Sequence, residues 1–133
     1  MKNLRGFAVL ALSLVLFSFT NKPTYYYSID EVVSAIRAGN STELSKYFDN
    51  RVDIALPDKS DTYSKAQAEM IIRDFFNSKG VTGFELKHRG ENGGAQFCVG
   101  ILKTRNADYR THLFMRQRGD RQLLQEIRFL PAQ

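Results

Sequence analysis

The sequence predicts one small α+β domain, in which helices dominate the first half and a β-sheet fills the last third. Before residue 80, three segments carry apolar residues at helical spacing. From Phe84 to Leu130, apolar and polar residues alternate in short runs that are separated by turn residues. A group of helices followed by a run of strands is typical of the α+β class. With 43% hydrophobic residues, six tyrosines and ten phenylalanines, the chain has enough apolar surface for a core.

The first 20 residues have the pattern of a secretory signal peptide. Lys2 and Arg5 precede an apolar stretch from Phe7 to Phe19. That stretch is shorter than the roughly 20 residues that cross a bilayer as a helix. We therefore expect a signal peptide at 1–20, a linker at 21–27 and a single domain at 28–131. The protein would be periplasmic or extracellular after cleavage, and an uncleaved leader is the alternative that would keep it at a membrane.

Composition argues against several classes of function. The formal net charge is +5, and it falls to about +3 without Lys2 and Arg5. Acidic residues interleave with the basic ones in the sheet half, which is atypical of nucleic-acid binding, so we expect no nucleic-acid partner. Cys98 is the single cysteine, so no intramolecular disulfide can form. Two histidines and one cysteine on separate predicted strands give no metal-ligand spacing, and no motif indicates a cofactor.

Capping residues place the first two helices. Ser28 and Glu31 form a capping box that begins the first helix, and Gly39 ends it. A second short helix is capped within 40–42 and extends to about Phe48. The two helices precede the first predicted strand.

A strand and the longest helix come next. Residues 51–56 alternate as in a half-buried strand, and Thr62 and Tyr63 predict a short return strand. Ser64 and Gln67 form a second capping box, and Gly80 closes the helix that it opens. This helix is expected to cover the sheet with one apolar stripe, made of Ala68, Ile71, Ile72, Phe75 and Phe76.

Four strands complete the domain. In the first, alternation places His88 on the same face as Phe84 and Leu86. A three-residue turn after the second strand would set Phe97 opposite Met115, which matches apolar with apolar. A β-bulge near Gln125 would reconcile the broken alternation of the last strand. The outer face of the sheet would then carry Gln96, Cys98, Gly100 and Leu102 beside His112 and Phe114.

Four segments carry a resemblance to a known superfamily: 47–49, 52–54, 64–76 and 124–129. Over about residues 28–130 the chain resembles the nuclear-transport-factor-2-like superfamily. It looks most similar to a family of small exported bacterial proteins with no assigned function. The resemblance implies a curved antiparallel sheet wrapped around three helices, a cone-like (cystatin-like) architecture. It also implies that two copies can pair through the convex sheet face, as in many members. An exposed edge or a heterologous partner fits this face equally well.

The resemblance implies a mostly apolar pocket at the open end of the cone. We expect a non-catalytic domain that binds a small apolar ligand or a peptide segment there, with no cofactor. A filled cone that acts only through its outer face is a further alternative. The predicted lining residues supply apolar walls with hydroxyl and imidazole groups: Tyr47, Phe48, Tyr63, Phe75, His88, Tyr109 and Met115.

An enzyme of the isomerase or dehydratase type is the alternative hypothesis. Isomerase-like members of the superfamily use a carboxylate on the first strand as general base. In this chain that position falls at Ala55, whose methyl group cannot accept a proton. Asp53 shares the face of Ala55 and could act with His88 as acid and base, provided that both reach one cavity. Alternation favours the other interpretation, in which Asp53 faces solvent opposite the apolar stripe of its strand.

Overall fold

A computed structural model describes residues 25–132, with side chains from Ser28 onward. The predicted leader at 1–20 lies outside the described residues. Within them, no helix is long and apolar enough to cross a membrane. The elements in chain order are α1 (Tyr25–Arg37), α2 (Ser41–Ser45), β1 (Phe48–Leu56), β2 (Lys59–Ser64), α3 (Lys65–Lys79), β3 (Val81–Asn92), β4 (Ala95–Thr104), β5 (Asp108–Arg118) and β6 (Arg121–Pro131).

The strands form one six-stranded sheet in the order β2-β1-β6-β5-β4-β3. This confirms the predicted α+β class and the final four-stranded meander. The sheet is mixed, however, because β1 runs parallel to β6 while every other pair is antiparallel. The chain leaves β1 through β2 and α3, builds the meander from the far edge, and returns to place β6 beside β1.

The helix ends differ in part from the sequence prediction. Helix α1 begins at Tyr25, so Ser28 lies inside the helix and does not cap it. Gly39 follows α1 with a φ of +65°, as predicted. The Asn40 side chain accepts a hydrogen bond from the Glu43 amide and caps α2, which ends at Ser45. Strand β1 begins at Phe48, three residues earlier than expected.

Helix α3 has the predicted caps and the predicted role. Ser64 and Gln67 form a capping box, and Gly80 ends the helix with a φ of +73°. The ring of Phe75 is stacked on Phe129 of β6 with centroids 5.2 Å apart, and Phe76 meets the same ring edge-on at 5.9 Å. The helix therefore covers the face of the sheet that carries the buried residues, which we call the inner face. The opposite side is the outer face.

The predicted pairing of β4 with β5 is wrong by one residue. Lys103 pairs with Asp108 across a four-residue connection, so Phe97 lies opposite Phe114 and Cys98 opposite Leu113. A shift of one residue moves every side chain of a strand to the other face of the sheet. The small side chains expected on the outer face therefore point inward, and Gln96, Cys98, Gly100 and Leu102 are all buried.

Two bulges set the faces of the edge and centre strands. The predicted bulge is confirmed, because Phe114 pairs with Glu126 and Met115 with Leu124, which leaves Gln125 extra. A second bulge, between Leu86 and His88 of β3, was not predicted. Alternation is interrupted at such an extra residue. His88 consequently lies opposite Val99 on the outer face, away from the face that carries Phe84.

Candidate functional site

Four of the seven predicted pocket residues belong to the hydrophobic core. Phe48, Phe75, Tyr109 and Met115 are all buried. The Phe75 and Tyr109 rings meet edge-on with centroids 5.2 Å apart, next to the stacked ring of Phe129. The Phe75 and Tyr109 rings therefore fill the space between α3 and the sheet. Of the four residues, Phe75 also borders a pocket of about 290 Å³, with Leu56 and Ile71.

The other three lie in separate places. The hydroxyl of Tyr47 donates a hydrogen bond to Glu31 of α1. The pKa of Tyr47 is raised to about 12, mainly by burial and secondly by this hydrogen bond. Tyr63 is half-buried on β2, where it pairs with Val52 of β1. His88 is exposed on the outer face, with its ring centroid 5.8 Å from that of Phe97. The structure does not bring these residues together.

Asp53 and His88 are also far apart. Their strands, β1 and β3, are separated by β6, β5 and β4, which is four strand spacings or about 19 Å along the sheet. Asp53 is exposed and accepts a hydrogen bond from the Thr62 hydroxyl. An acid and a base that act on one substrate must both reach it, so these two groups form no catalytic pair. In the described part of the chain, no three His, Cys, Asp or Glu side chains are grouped so that they could hold a metal ion.

The outer face is more apolar than predicted. Phe97 is 36% exposed and lies opposite Phe114, which is half-buried. The guanidinium carbon of Arg116 lies 5.2 Å from the Phe114 ring centroid. Val99 and Ile101 follow Phe97 along the same face of β4 and are half-buried. Because of the register shift, the outer face of β4 carries aromatic and aliphatic side chains and not the small ones that were expected there.

A pocket of about 470 Å³ lies where the β3–β4 and β5–β6 hairpins end. This volume is within the usual range for sites that bind small molecules. One wall is the β3–β4 turn, residues 91–95, and the rest is formed by three glutamines from β4, β5 and β6. We call it the glutamine pocket, and its glutamines are Gln96, Gln117 and Gln122.

Two of these glutamines are buried with hydrogen-bonding capacity unused. Gln96 is 3% exposed and Gln122 is 4% exposed. Among the described residues, Nε2 of Gln96 and Oε1 of Gln122 are the buried side-chain atoms for which no hydrogen-bond partner is found. Leaving a buried donor or acceptor unpaired costs on the order of 1–3 kcal/mol. Most buried polar side chains are paired, so two exceptions in one pocket call for an explanation.

Neighbouring hydrogen bonds fix how the Gln122 amide is turned. Its Nε2 donates to the carbonyl oxygen of Gly94 at 3.4 Å and to Oε1 of Gln117 at 3.3 Å. Because both partners are acceptors, the nitrogen must point toward them and the oxygen must point elsewhere. Gln117 is held in turn, since its amide nitrogen donates to the Gly119 carbonyl. The acceptor of Gln122 is therefore free for a group outside this network.

A buried carboxylate anchors β1 to the hairpin that ends at the pocket. Asp49 accepts hydrogen bonds from Arg118 and from Nε2 of Gln125, the bulged residue of β6. Burial disfavours the charged carboxylate, but the hydrogen bonds from Gln125 and the Asn50 amide, together with Arg118, lower the pKa of Asp49. The network holds the β5–β6 hairpin against the start of β1. It gives the glutamine pocket a fixed wall.

Cys98 is a core residue, and we predict that it is unreactive in the folded protein. Burial raises the pKa of its thiol to about 12, with the Arg89 charge acting in the opposite direction. The thiolate is the reactive form, so alkylation by iodoacetamide at pH 8 should be about a hundredfold slower, or more, than in the unfolded chain. Mass spectrometry of timed samples with and without denaturant measures this ratio. Equal rates in the two samples would show that Cys98 is accessible.

The sequence held a signal for the glutamine pocket that the interpretation missed. Gln96 lies two residues before the buried Cys98, and Gln122 lies two residues before the buried Leu124. Alternation therefore places both amides on the inner face, at the end of the core. On β4 and on β6, a polar residue thus continues the row of inward-facing side chains at the end of the strand. This pattern indicates a polar site at that end of the core. The incorrect β4–β5 register concealed this for Gln96.

The fold places the protein in a broad class before any family is considered. A six-stranded open sheet with three helices on its inner face is the architecture of nuclear-transport-factor-2-like proteins. An NTF-2-like protein of unknown function from Burkholderia xenovorans LB400 is similar, with a TM-score of 0.62 and 12% identity. The match covers 81% of this chain and 84% of that one, and at this identity it shows the fold alone.

Within that class, the chain belongs to the family described as domain of unknown function DUF4783, whose model matches residues 29–129. A DUF4783 family protein from Bacteroides uniformis ATCC 8492 is 32% identical, with a TM-score of 0.75, over 78% of this chain and 96% of that one. Another from Bacteroides ovatus ATCC 8483 is 29% identical, also with a TM-score of 0.75, over 77% and 94%. No protein with curated annotation matches the chain significantly.

Proposed function

We propose that this protein is an exported, non-catalytic domain that binds a small polar ligand in the glutamine pocket. The observation that carries the proposal is the pair of buried glutamines, Gln96 and Gln122, which line one pocket of about 470 Å³ and each carry an unpaired amide atom. Ligand pockets combine adequate volume with a few well-placed polar groups. The proposed role is still ligand binding, as the sequence predicted, but the proposed site is the polar glutamine pocket and not an apolar pocket.

A non-catalytic role is supported by what lines the pocket. Glutamine, asparagine, glycine and alanine cannot act as general acids or bases near neutral pH. Glu91 is the one ionisable side chain among the described lining residues. Asp53 and His88 lie on the outer face, about four strand spacings apart, and neither lines the pocket. The chemistry at this site therefore favours recognition over reaction.

Export rests on the leader at residues 1–20. Its charged start and short apolar stretch support cleavage and release, with the domain then acting in the periplasm or outside the cell. A domain with a single buried cysteine needs no oxidising compartment for its fold, since its stability comes from the core. The proposed site is formed entirely by residues after 90, so its geometry is independent of where the leader is cut.

We further propose that two copies pair through the outer face. Phe97 and Phe114 lie opposite each other in the ladder, and Val99 and Ile101 extend the apolar stripe along β4. Association that buries such a stripe is favourable in proportion to the apolar area removed from water. A symmetric pair would place the same stripe on both sides of the contact.

Native mass spectrometry of the protein purified from its own host tests these proposals together. We expect a chain that has lost about 20 residues, a small molecule that is released on denaturation, and a dimeric mass. The pocket is tested by Gly94→Phe, because Gly94 lines it and has a backbone conformation that admits a side chain. This variant should lose the retained molecule.

Gly83→Phe is the matched control for the pocket variant. Gly83 lies on β3, at the other end of the β3–β4 pair, and a Cβ added there meets nothing within 4 Å. It should retain the molecule as the natural protein does. A ligand retained equally by Gly94→Phe would place binding elsewhere, and a natural protein without any small molecule would contradict the binding function.

A further inference from the structure

We infer that the glutamine pocket recognises a neutral secondary amide, the group shared by peptide bonds and N-acetylated sugars. The inference rests on the proposed function and names the chemistry of its ligand. It is carried by the two unpaired amide atoms at the floor of the pocket, a donor on Gln96 and an acceptor on Gln122.

The unused groups define a complementary pair on the ligand. Nε2 of Gln96 has N–H donors to give, so the ligand must offer an acceptor. Oε1 of Gln122 is an acceptor with unused lone pairs. The Gln122 amide cannot flip by 180°, because its Nε2 donates hydrogen bonds to Gly94 and Gln117. The ligand must therefore also offer a donor. A secondary amide carries both, as a carbonyl oxygen and an N–H on neighbouring atoms.

Charged ligands fit the floor less well. A carboxylate or phosphate offers acceptors only, so it would leave the Gln122 oxygen unpaired beside a negative charge. An ammonium group offers donors only and would leave the Gln96 nitrogen unpaired. Glu91, the single ionisable lining residue, further disfavours an anion. A neutral group with both functions satisfies the pocket without burying an uncompensated charge.

A hydroxyl is the competing neutral group, and the strand positions favour an amide over it. Gln96 lies on β4 opposite Met115 of β5, and Gln122 lies on β6 opposite Gln117 of β5. Two strand spacings and an offset of two residues put their backbones about 12 Å apart. A single hydroxyl oxygen would have to serve both side chains at once. An amide spreads its donor and its acceptor over two atoms, which suits partners that approach from different strands.

The test is a titration of the purified protein, followed by ¹H–¹⁵N NMR, with two matched pairs of probes. N-acetylglucosamine is compared with glucose, and N-acetylalanine N′-methylamide with its diester analogue methyl O-acetyllactate. We expect the amide of at least one pair to bind roughly tenfold or more tightly than its partner, with shifts at Gln96 and Gln122. The pair that shows the preference distinguishes a sugar source from a peptide source.

Gln96→Met removes the donor while keeping the side-chain volume. We expect this variant to bind the preferred amide several-fold more weakly, because the carbonyl oxygen of the ligand loses its donor. We also expect it to melt at the same temperature as the natural protein or higher. The reason is that an unpaired buried amide is replaced by an apolar group. A melting temperature lowered by several degrees would show that the Gln96 amide has a partner within the protein, such as Gln122 or an ordered water, and would overturn the inference.

The two proposals fail in different ways. If glucose and methyl O-acetyllactate both perturb the pocket as strongly as their matching amides, the secondary amide is not what is recognised, and the binding function still stands. If none of the four probes shifts Gln96 or Gln122, the amide inference is overturned. The binding function itself then fails only if the protein from its host also carries no molecule that Gly94→Phe loses.

Discussion

Replacing Phe129 by alanine is expected to lower the free energy of unfolding by about 3–5 kcal/mol, the usual cost of truncating a buried phenylalanine. Phe129 has no exposed surface and lies near the end of β6, two residues before Pro131. Its ring stacks on Phe75 and meets Phe76 edge-on, so it joins the long helix α3 to the sheet. Removing the ring leaves a cavity between two elements that cannot both close in on it.

Urea unfolding followed by circular dichroism measures this loss, with Phe97→Ala as the control. Phe97 is 36% exposed on the outer face, and its substitution should cost less than half as much in the monomer. The comparison separates the effect of burial from that of residue type, because both substitutions remove a phenylalanine ring from the same sheet. Equal losses for the two variants would mean that α3 does not cover the inner face as described.

Gly100→Ala is expected to lower the free energy of unfolding by about 1–3 kcal/mol, even though it adds only one methyl group. Gly100 faces inward on β4, where an added Cβ would lie 2.4 Å from Cζ of Phe84 and 2.6 Å from the backbone oxygen of Glu85. A side-chain ring can turn aside, but the backbone oxygen belongs to the neighbouring strand. The methyl group must therefore disturb the β3–β4 ladder.

Gly83→Ala separates this clash from a general effect of glycine in strands. A Cβ at Gly83 would meet nothing within 4 Å, and its backbone is not in the left-handed region. Alanine restricts the unfolded chain more than glycine does, so this control should be neutral or slightly stabilising. Thermal unfolding of both variants by calorimetry gives the comparison. Similar melting temperatures for the two would contradict the close packing of Phe84 on Gly100.

The parts of the fold that could be predicted from sequence are those set by local chemistry. The capping box at Ser64, the left-handed glycines 39 and 80, and the bulge at Gln125 all follow from residue types at fixed spacing. The parallel pairing of β1 with β6 does not, because it joins segments about 70 residues apart. No local pattern reports which strand will become the neighbour of β1.

The candidate site depended on which side of each strand faces inward, and there the sequence was ambiguous. Both faces of β4 are largely apolar, and the bulkier one was assigned to the core. The structure puts the smaller side inward because the Phe84 ring occupies the space above Gly100. The bulge before His88 had the same effect on β3, since it reversed the side of a residue that alternation had placed with Phe84.

The position of β6 also bears on how the chain reaches its native state. It forms the centre of the sheet between β1 and β5, yet it is the last of the described strands to leave the ribosome. Until residues 121–131 are available, β1 and β2 can form only an isolated hairpin, and such hairpins are at best marginally stable. Folding of the described domain should therefore wait until β6 has been synthesised. For the export proposed above, this delay would keep the chain in the unfolded state that passes through a narrow translocation channel.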